Sequence, residues 1–413
     1  MTLRTRLFIL VMTAAVMLPV PAQDALTVDA AVRMALANHP ARKAADADTT
    51  AAAANLRGAK TLSNPEIVVT PGILGPAGSD ELLSISQPLE INGARKARVQ
   101  IAAGQLAAVQ GQHRIVEREL VLAVKTAYWE LAQAQAIAGL DAENVQHAEA
   151  LAAAAKTSVE LGNEPLSHQI KAEVELARTR QQLTRSQAAV TQAVAALNTA
   201  MGREPATPTV LADALTAPAV TFDEVVLLPL ALAERPEMAA ARAEVQAAQG
   251  EAAAARAARR PDLAVQVRQE DWNGAGGAGL AISLPLIDWG SAKAERQRAQ
   301  AIVAARQQRM EAVHLAFRQE VVAAVTAVRS AEAQLREYSE QILGPAQTLA
   351  EMAMLGYREG AMTYLEVLEA RRTLRAVNAD YLATLGEYHK ALAQLTWAAG
   401  VETLPAPATE GKR

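Results

Sequence analysis

The 413-residue chain contains no cysteine, which removes disulfides, thiolate nucleophiles, cysteine zinc sites and a lipidated N-terminal cysteine from the expected features. Aromatics are scarce, with Trp 4, Tyr 6 and Phe 3. A globular core of this size leans on such side chains, because they bury the most apolar area. Lys+Arg 40 against Asp+Glu 44 leaves no basic excess for nucleic acid. Six scattered histidines accompany no His-Glu-x-x-His, no glycine-rich phosphate loop and no nucleophile elbow. No catalytic residue and no cofactor is therefore expected. Beyond the first residues no apolar run is long enough for a transmembrane helix, so any entry into a membrane must be as a β-barrel. What is abundant is alanine, 95 residues, spaced by Leu, Glu, Gln, Lys and Arg. That composition predicts long, closely packed helices.

Residues 1–22 carry Arg4 and Arg6, an apolar run from Leu7 to Val20, and then Val20-Pro21-Ala22. This is the charge, apolar and small-residue order of a secretory signal peptide. Its removal takes the formal charge from −4 to −6.

The remainder is written twice. Ala35-Leu36-Ala37-Asn38-His39-Pro40 returns as Ala231-Leu232-Ala233-Glu234-Arg235-Pro236, Asn64-Pro65-Glu66-Ile67 as Arg260-Pro261-Asp262-Leu263, and Leu161-Gly162 as Leu355-Gly356. The ordered series predicts two tandem structural repeats, 23–202 and 222–402, joined by a proline-rich linker, 203–221, and followed by a tail, 403–413. Each copy opens with a helix interrupted early by proline, Pro40 or Pro236. A β-hairpin follows, about 65–90 and about 261–288, then long helices, about 94–200 and about 292–399. In the second hairpin Leu263, Val265 and Val267, and then Leu280, Ile282, Leu284 and Leu286, alternate with small or polar residues. The long helix of copy one carries a seam from Leu106 through Val109, His113, Val116, Leu120, Ala123, Ala127 and Leu131 to Ala134. Its counterpart must kink or break at Gly344-Pro345.

Two hairpins give four amphipathic strands, whose apolar stripe suits lipid. Four strands cannot close a barrel, and open edges cannot exist in lipid. A membrane role thus requires an oligomer sharing one barrel; two chains would supply eight strands and three would supply twelve. Hairpins packed on the helices of a soluble protein, an exported coiled-coil scaffold without a pore, remain the alternative.

Three stretches carry a family likeness. Ser84-Ile85-Ser86-Gln87-Pro88-Leu89-Glu90-Ile91-Asn92-Gly93 with Arg95 and Arg98, Ile282-Ser283-Leu284-Pro285-Leu286-Ile287-Asp288-Trp289-Gly290, and Leu355-Gly356-Tyr357-Arg358-Glu359-Gly360 continuing to Ala370 resemble, in order, two strand-to-helix junctions and a helical tip. The chain resembles the TolC-type outer-membrane efflux protein family over essentially its whole mature length, and most of all its heavy-metal-efflux branch. The resemblance implies a mainly α protein with a small β part. In the family this is a homotrimer, a twelve-stranded β-barrel in the outer membrane of a Gram-negative bacterium, continued across the periplasm by an α-helical barrel. It implies the exit duct of a tripartite efflux system, served by a periplasmic adaptor protein and an inner-membrane pump of the RND type, or else the duct of a type I protein secretion system. Metal cations or drugs are the implied substrates.

Site residues follow from the same likeness. Glu366 and Glu369, three apart on one helix face, match the acidic pair that lines the family's pore constriction. Met362 stands where the family often has a basic residue, and His168 where members often carry a carboxylate. Leu161 and Gly162 in the first tip, with Leu355, Gly356, Arg358 and Gly360 in the second, are the expected adaptor-docking positions. Leu263, Val265, Val267, Leu280, Ile282, Leu284 and Leu286 are expected to face lipid. His113 and His314 occupy matching places in the two copies but lack partners spaced for a metal site, and none is expected.

Overall fold

The computed structural model describes residues 25–69, 83–162, 164–218, 220–269, 276–285 and 289–404. The signal segment, both hairpin loops, Leu286 and most of the tail lie outside them. Among the described residues no helix is long and apolar enough to cross a membrane.

Helices α1 (Val28–Asn38) and α2 (Pro40–Lys60) meet at His39. Proline excludes the helical conformation from the residue before it, so His39 is extended and Pro40 starts the next helix. Strands β1 (Glu66–Val69) and β2 (Leu83–Pro88) follow, then α3 (Ala94–Glu160) and α4 (Leu166–Ala200). The second copy repeats the order. It comprises α5 (Glu224–Glu234), α6 (Pro236–Ala257), β3 (Asp262–Gln269), β4 (Gly276–Ser283), α7 (Ser291–Glu337), α8 (Leu343–Arg358) and α9 (Tyr364–Ala399). Gly93 and Gly290 precede α3 and α7 with φ of 93° and 89°, a left-handed turn open to glycine. The 67 residues of α3, at 1.5 Å each, make a rod of about 100 Å.

The second rod is interrupted, though not at Gly344-Pro345 itself. A π-helical turn, Tyr338–Ile342, separates α7 from α8, and the Leu343 N–H donates back to the Tyr338 carbonyl. Pro345 has no N–H to offer, and its ring presses on the carbonyl one turn earlier. The widened turn takes up that demand just upstream.

The predicted seam is buried in part, with Leu106, Val109, His113, Val116 and Ala134 half-buried. Of its residues only Leu120, Ala127 and Leu131 are buried, and Ala123 is exposed. Close approach is set instead by glycine, where α3 lies against α6. A Cβ on Gly104 would stand 2.6 Å from the Ala247 nitrogen, one on Gly111 2.7 Å from the Ala240 Cβ, and one on Gly250 2.8 Å from Ile101. This contact joins copy one to copy two along the rod.

At mid-height two apolar clusters fill the interior. One gathers Val124, Tyr128, Leu131, Leu197 and Met201; the other Phe222, Leu227, Val321, Val328, Leu385 and Leu395. The linker ties them. Tyr128 donates to the Leu26 carbonyl at 2.8 Å and to Asp213 at 2.9 Å, while Tyr388 donates to the Pro218 carbonyl at 2.8 Å. The His389 ring stacks on Trp129 at 3.6 Å, and its Nε2 lies 2.6 Å from the Thr216 carbonyl. Arg235 is buried between the rings of Phe317 and Trp397 and pairs with Glu237 and Glu320.

All four strands form one antiparallel sheet in the order β1-β2-β3-β4. The β2–β3 pairing, with Ile85 opposite Val267, joins the hairpins of the two copies.

Candidate lipid face, helical tips and pore constriction

Opposed residues in an antiparallel pair share a face. Leu263 lies opposite Ile282 and Val265 opposite Leu280, so these four side chains form one stripe, with Val267 continuing it. The register extends the stripe into copy one. Ile85 faces Val267 and Ile67, and Leu83 faces Val69. Val265, Val267, Leu280 and Ile282 are exposed, Leu280 at 69%, while Leu263 is half-buried. The opposite face carries Ser84, Ser86, Ala264, Gln266 and Ala281. Leu284 lies outside the ladder, since β4 ends at Ser283, one residue earlier. Pro285 cannot donate to a ladder, and Leu284 is exposed just beyond the strand.

The opposite end of the rods holds the tips. In the first, the Gly162 N–H donates to the Val159 carbonyl at 3.0 Å with φ of 73°, and α4 restarts after Pro165. In the second, Gly360 adopts φ of 74°, and the N–H groups of Ala361 and Met362 both donate to the Gly356 carbonyl. A Cβ on Gly356 would strike the Met362 side chain at 2.9 Å, so glycine lets the turn fold over. Leu161, Gly162, Leu355, Arg358 and Gly360 are exposed, and Gly356 is half-buried.

Glu366 is exposed and held at the start of α9. Its Oε2 accepts from the Thr363 N–H at 2.6 Å and the Thr363 hydroxyl at 2.8 Å, while Thr363 Oγ1 accepts from the Glu366 N–H. This is a capping box, whose sign in the sequence is the Thr-x-x-Glu spacing of Thr363 and Glu366. The Thr363 backbone N–H, then its hydroxyl, holds the Glu366 carboxyl below its usual range. Glu369 is exposed one turn further along α9.

His168 is half-buried where the two tips meet. Its Nδ1 lies 3.5 Å from Glu164, and its ring stands 6.3 Å from that of Tyr364. Glu164 in turn accepts from the Tyr357 hydroxyl at 3.2 Å, linking the first tip to the second. Burial, with Glu164 nearby, pushes the Tyr357 hydroxyl up to about 12, so it stays a donor at neutral pH. Further along, Arg372 pairs with Glu175, and Arg375 with Asp141 at 2.8 Å. Asp141 is only 2% exposed. These groups line a cleft of about 240 Å³ between α3, α4 and α9, together with His147 and Arg371. Burial foremost, then Arg371, holds the His147 imidazole below its ordinary value. No local pattern announces these links, whose partners lie up to 234 residues apart.

His113 lies 2.7 Å from Asp46, and Arg42 bonds the adjacent Glu117. His314 lines a separate cleft with Met238 and Met310. Among the described residues no group of three or more His, Cys, Asp or Glu could hold a metal ion.

Known proteins share this arrangement. The chain is similar to the cobalt-zinc-cadmium resistance protein CzcC of Cupriavidus metallidurans, 27% identical over 393 residues that cover 92% of each chain. It is 32% identical over 301 residues, 69% of each chain, to the nickel and cobalt resistance protein CnrC of the same organism. The crystal structure of the outer membrane protein VceC from Vibrio cholerae has the same fold, with a TM-score of 0.77 at 21% identity, covering 91% of this chain and 96% of that one. The sequence profile described as outer membrane efflux protein matches residues 31–203 and again residues 227–401, once for each copy, and the chain belongs to that family.

Proposed function

We propose that three copies of this chain close one duct, the exit of a tripartite system that expels divalent metal cations. As a member of its family the chain is an outer-membrane channel for efflux; the trimer, the cargo and the partners are the finer reading. One observation carries it. The sheet has a single apolar face and two unpaired edges, β1 and β4. Open edges cannot stand in lipid, so β4 of one copy pairs with β1 of the next until the barrel closes. Exposed apolar residues on α4 (Leu166, Ile170, Val174), α7 (Leu315, Val322) and α8 (Leu349, Met352) also call for cover by neighbouring copies. The metal cargo is supported by the names of the curated relatives, which confer resistance to cobalt, zinc, cadmium and nickel.

In this reading Glu366 and Glu369 of three copies ring the far end of the duct, with His168 behind them. An adaptor protein meets the exposed tips, and an inner-membrane pump of the RND type drives export. The likeness to CzcC and CnrC favours this over a protein-secretion duct. The test joins assembly to cargo. Arginine at Val265 or Ile282 should cost about 2–4 kcal/mol near the bilayer midplane and block assembly. The purified protein should have the mass of three chains in detergent. Cells lacking it should become sensitive to divalent metals. Normal outer-membrane assembly of the doubly substituted protein would refute the barrel, and unchanged metal tolerance the cargo.

A further inference from the structure

Four helix ends meet at the base of the sheet, and they are strongly basic. The segments 55–66, 89–100, 254–262 and 284–300 hold Arg57, Lys60, Arg95, Lys96, Arg98, Arg256, Arg259, Arg260, Lys293, Arg296 and Arg298. Against these eleven stand five acids, Glu66, Glu90, Asp262, Asp288 and Glu295. In the sequence these segments therefore sum to a formal +6, and because the whole chain carries −4, everything else carries −10.

Their described residues are together in space. Arg95 donates to the Lys60 carbonyl at 3.1 Å, Arg98 to the Thr61 carbonyl at 3.0 Å, and the Ile91 N–H to Asp262 at 3.1 Å. Arg256 and Arg296 line one groove. Helix stability does not explain the pattern. Cations favour helix C-termini, which accounts for those ending α2 and α6. Arg95, Lys96 and Lys293 sit instead in first turns, against the dipole, and neither α3 nor α7 has an acid there. Apolar side chains are interleaved. Leu62, Ile91 and Leu284 are exposed, and Trp289 is 95% exposed. Trp289 also holds φ of 50°, an uncommon conformation for a bulky residue, yet its ring is left outside the protein.

We infer that this collar binds the anionic phospholipid headgroups of the leaflet on the helical side of the membrane. Basic side chains meet the phosphates, and Trp289 sits at the water–lipid boundary. Aromatic rings and basic side chains beside apolar ones suit that boundary, where one end of each is wet and the other dry. The inference rests on the membrane reading of the sheet.

The test reconstitutes the full chain, carrying Trp272→Phe so that Trp289 is the reporter at the sheet. The vesicles are phosphatidylcholine mixed with brominated phosphatidylglycerol or with brominated phosphatidylcholine. Brominated phosphatidylglycerol should quench Trp289 several-fold more effectively at equal fraction. Arg57→Gln, Lys96→Gln and Lys293→Gln, all at exposed positions, should each weaken that preference by up to about fivefold. Lys156→Gln, Lys171→Gln and Arg178→Gln, which remove the same charge from the tip end of α3 and α4, should leave it intact. Equal quenching by the two lipids, or a preference retained in all three of Arg57→Gln, Lys96→Gln and Lys293→Gln, overturns the inference. So does loss of the preference to inorganic phosphate but not to chloride at the same ionic strength, which would mark a phosphate site. Absence of quenching by either lipid refutes the membrane reading beneath it.

Discussion

Replacing Gly104 with alanine puts a methyl group 2.6 Å from the Ala247 nitrogen and 2.8 Å from its Cα. That is about 0.8 Å short of the 3.4 Å at which ordinary contact begins. The obstacle is helical backbone, which cannot rotate aside as a side chain can. Helices α3 and α6 must part, at a typical overpacking cost of about 1–3 kcal/mol. Alanine also recovers about 0.5–1 kcal/mol of helix propensity, so the net effect runs from near neutral to about 2.5 kcal/mol destabilising. Gly139 on the same helix has nothing within 4 Å of its would-be Cβ. There alanine gains the propensity with no clash and should stabilise by about 0.5–1 kcal/mol. Thermal melts of the purified protein, followed by helical circular dichroism, should move down or stay level for Gly104→Ala and up for Gly139→Ala. Equal stabilisation by both substitutions would show that glycine does not set the α3–α6 spacing.

The constriction and the mid-height interior give further tests. Glu366→Ala with Glu369→Ala should weaken cation selectivity and relieve block by divalent ions in planar-bilayer recordings. Glu366→Gln should keep the capping interaction while removing the charge, so selectivity changes there must come from electrostatics; unchanged currents in both variants would leave Glu366 a capping residue alone. Burial holds the folded pKa of His389 below its ordinary 6.5, against a smaller opposing effect of the Thr216 carbonyl. The unfolded chain therefore takes up a proton first. Stability should hold above about pH 6.5 and fall as pH drops toward the folded value, a slope that His389→Phe should flatten. At the tips, Arg358→Glu combined with Gly356→Ala should abolish export in cells while leaving the oligomer intact, and full metal resistance in that variant would exclude the tips as the docking surface.

The mainly helical fold was legible because glycine and proline punctuate it. Gly93 and Leu161-Gly162 flank α3, and Pro40 and Pro236 start helices after an extended residue. The strands were legible from alternation, although Pro285 ends β4 before the apolar pattern stops. Packing was harder to read. An alanine-rich rod is apolar on several faces, so its sequence offers more than one seam, and only the neighbouring helix decides that Gly104 and Gly111 lie in contact. The π turn was displaced from the expected break because a proline disturbs the residues before it. Glu366 is legible as an acid on a helix face, while its capping partner Thr363 shows only in the Thr-x-x-Glu spacing. Asp141 and Arg375, or Glu164 and Tyr357, meet only because two copies fold against each other, which no local pattern announces.

The two copies share a plan but not a stiffness. The first rod runs unbroken from Ala94 to Glu160 and carries bending and twist along its length like a solid strut. The second has a knuckle at Tyr338–Ile342, where the hydrogen-bond ladder skips a residue. Above it α7 is clamped into the apolar interior; below it α8 packs Ala350 and Ala353 against Val367 and Ala370 of α9 and ends at the Tyr357–Glu164 contact. In the trimer proposed above, each unbroken rod is matched by one interrupted rod.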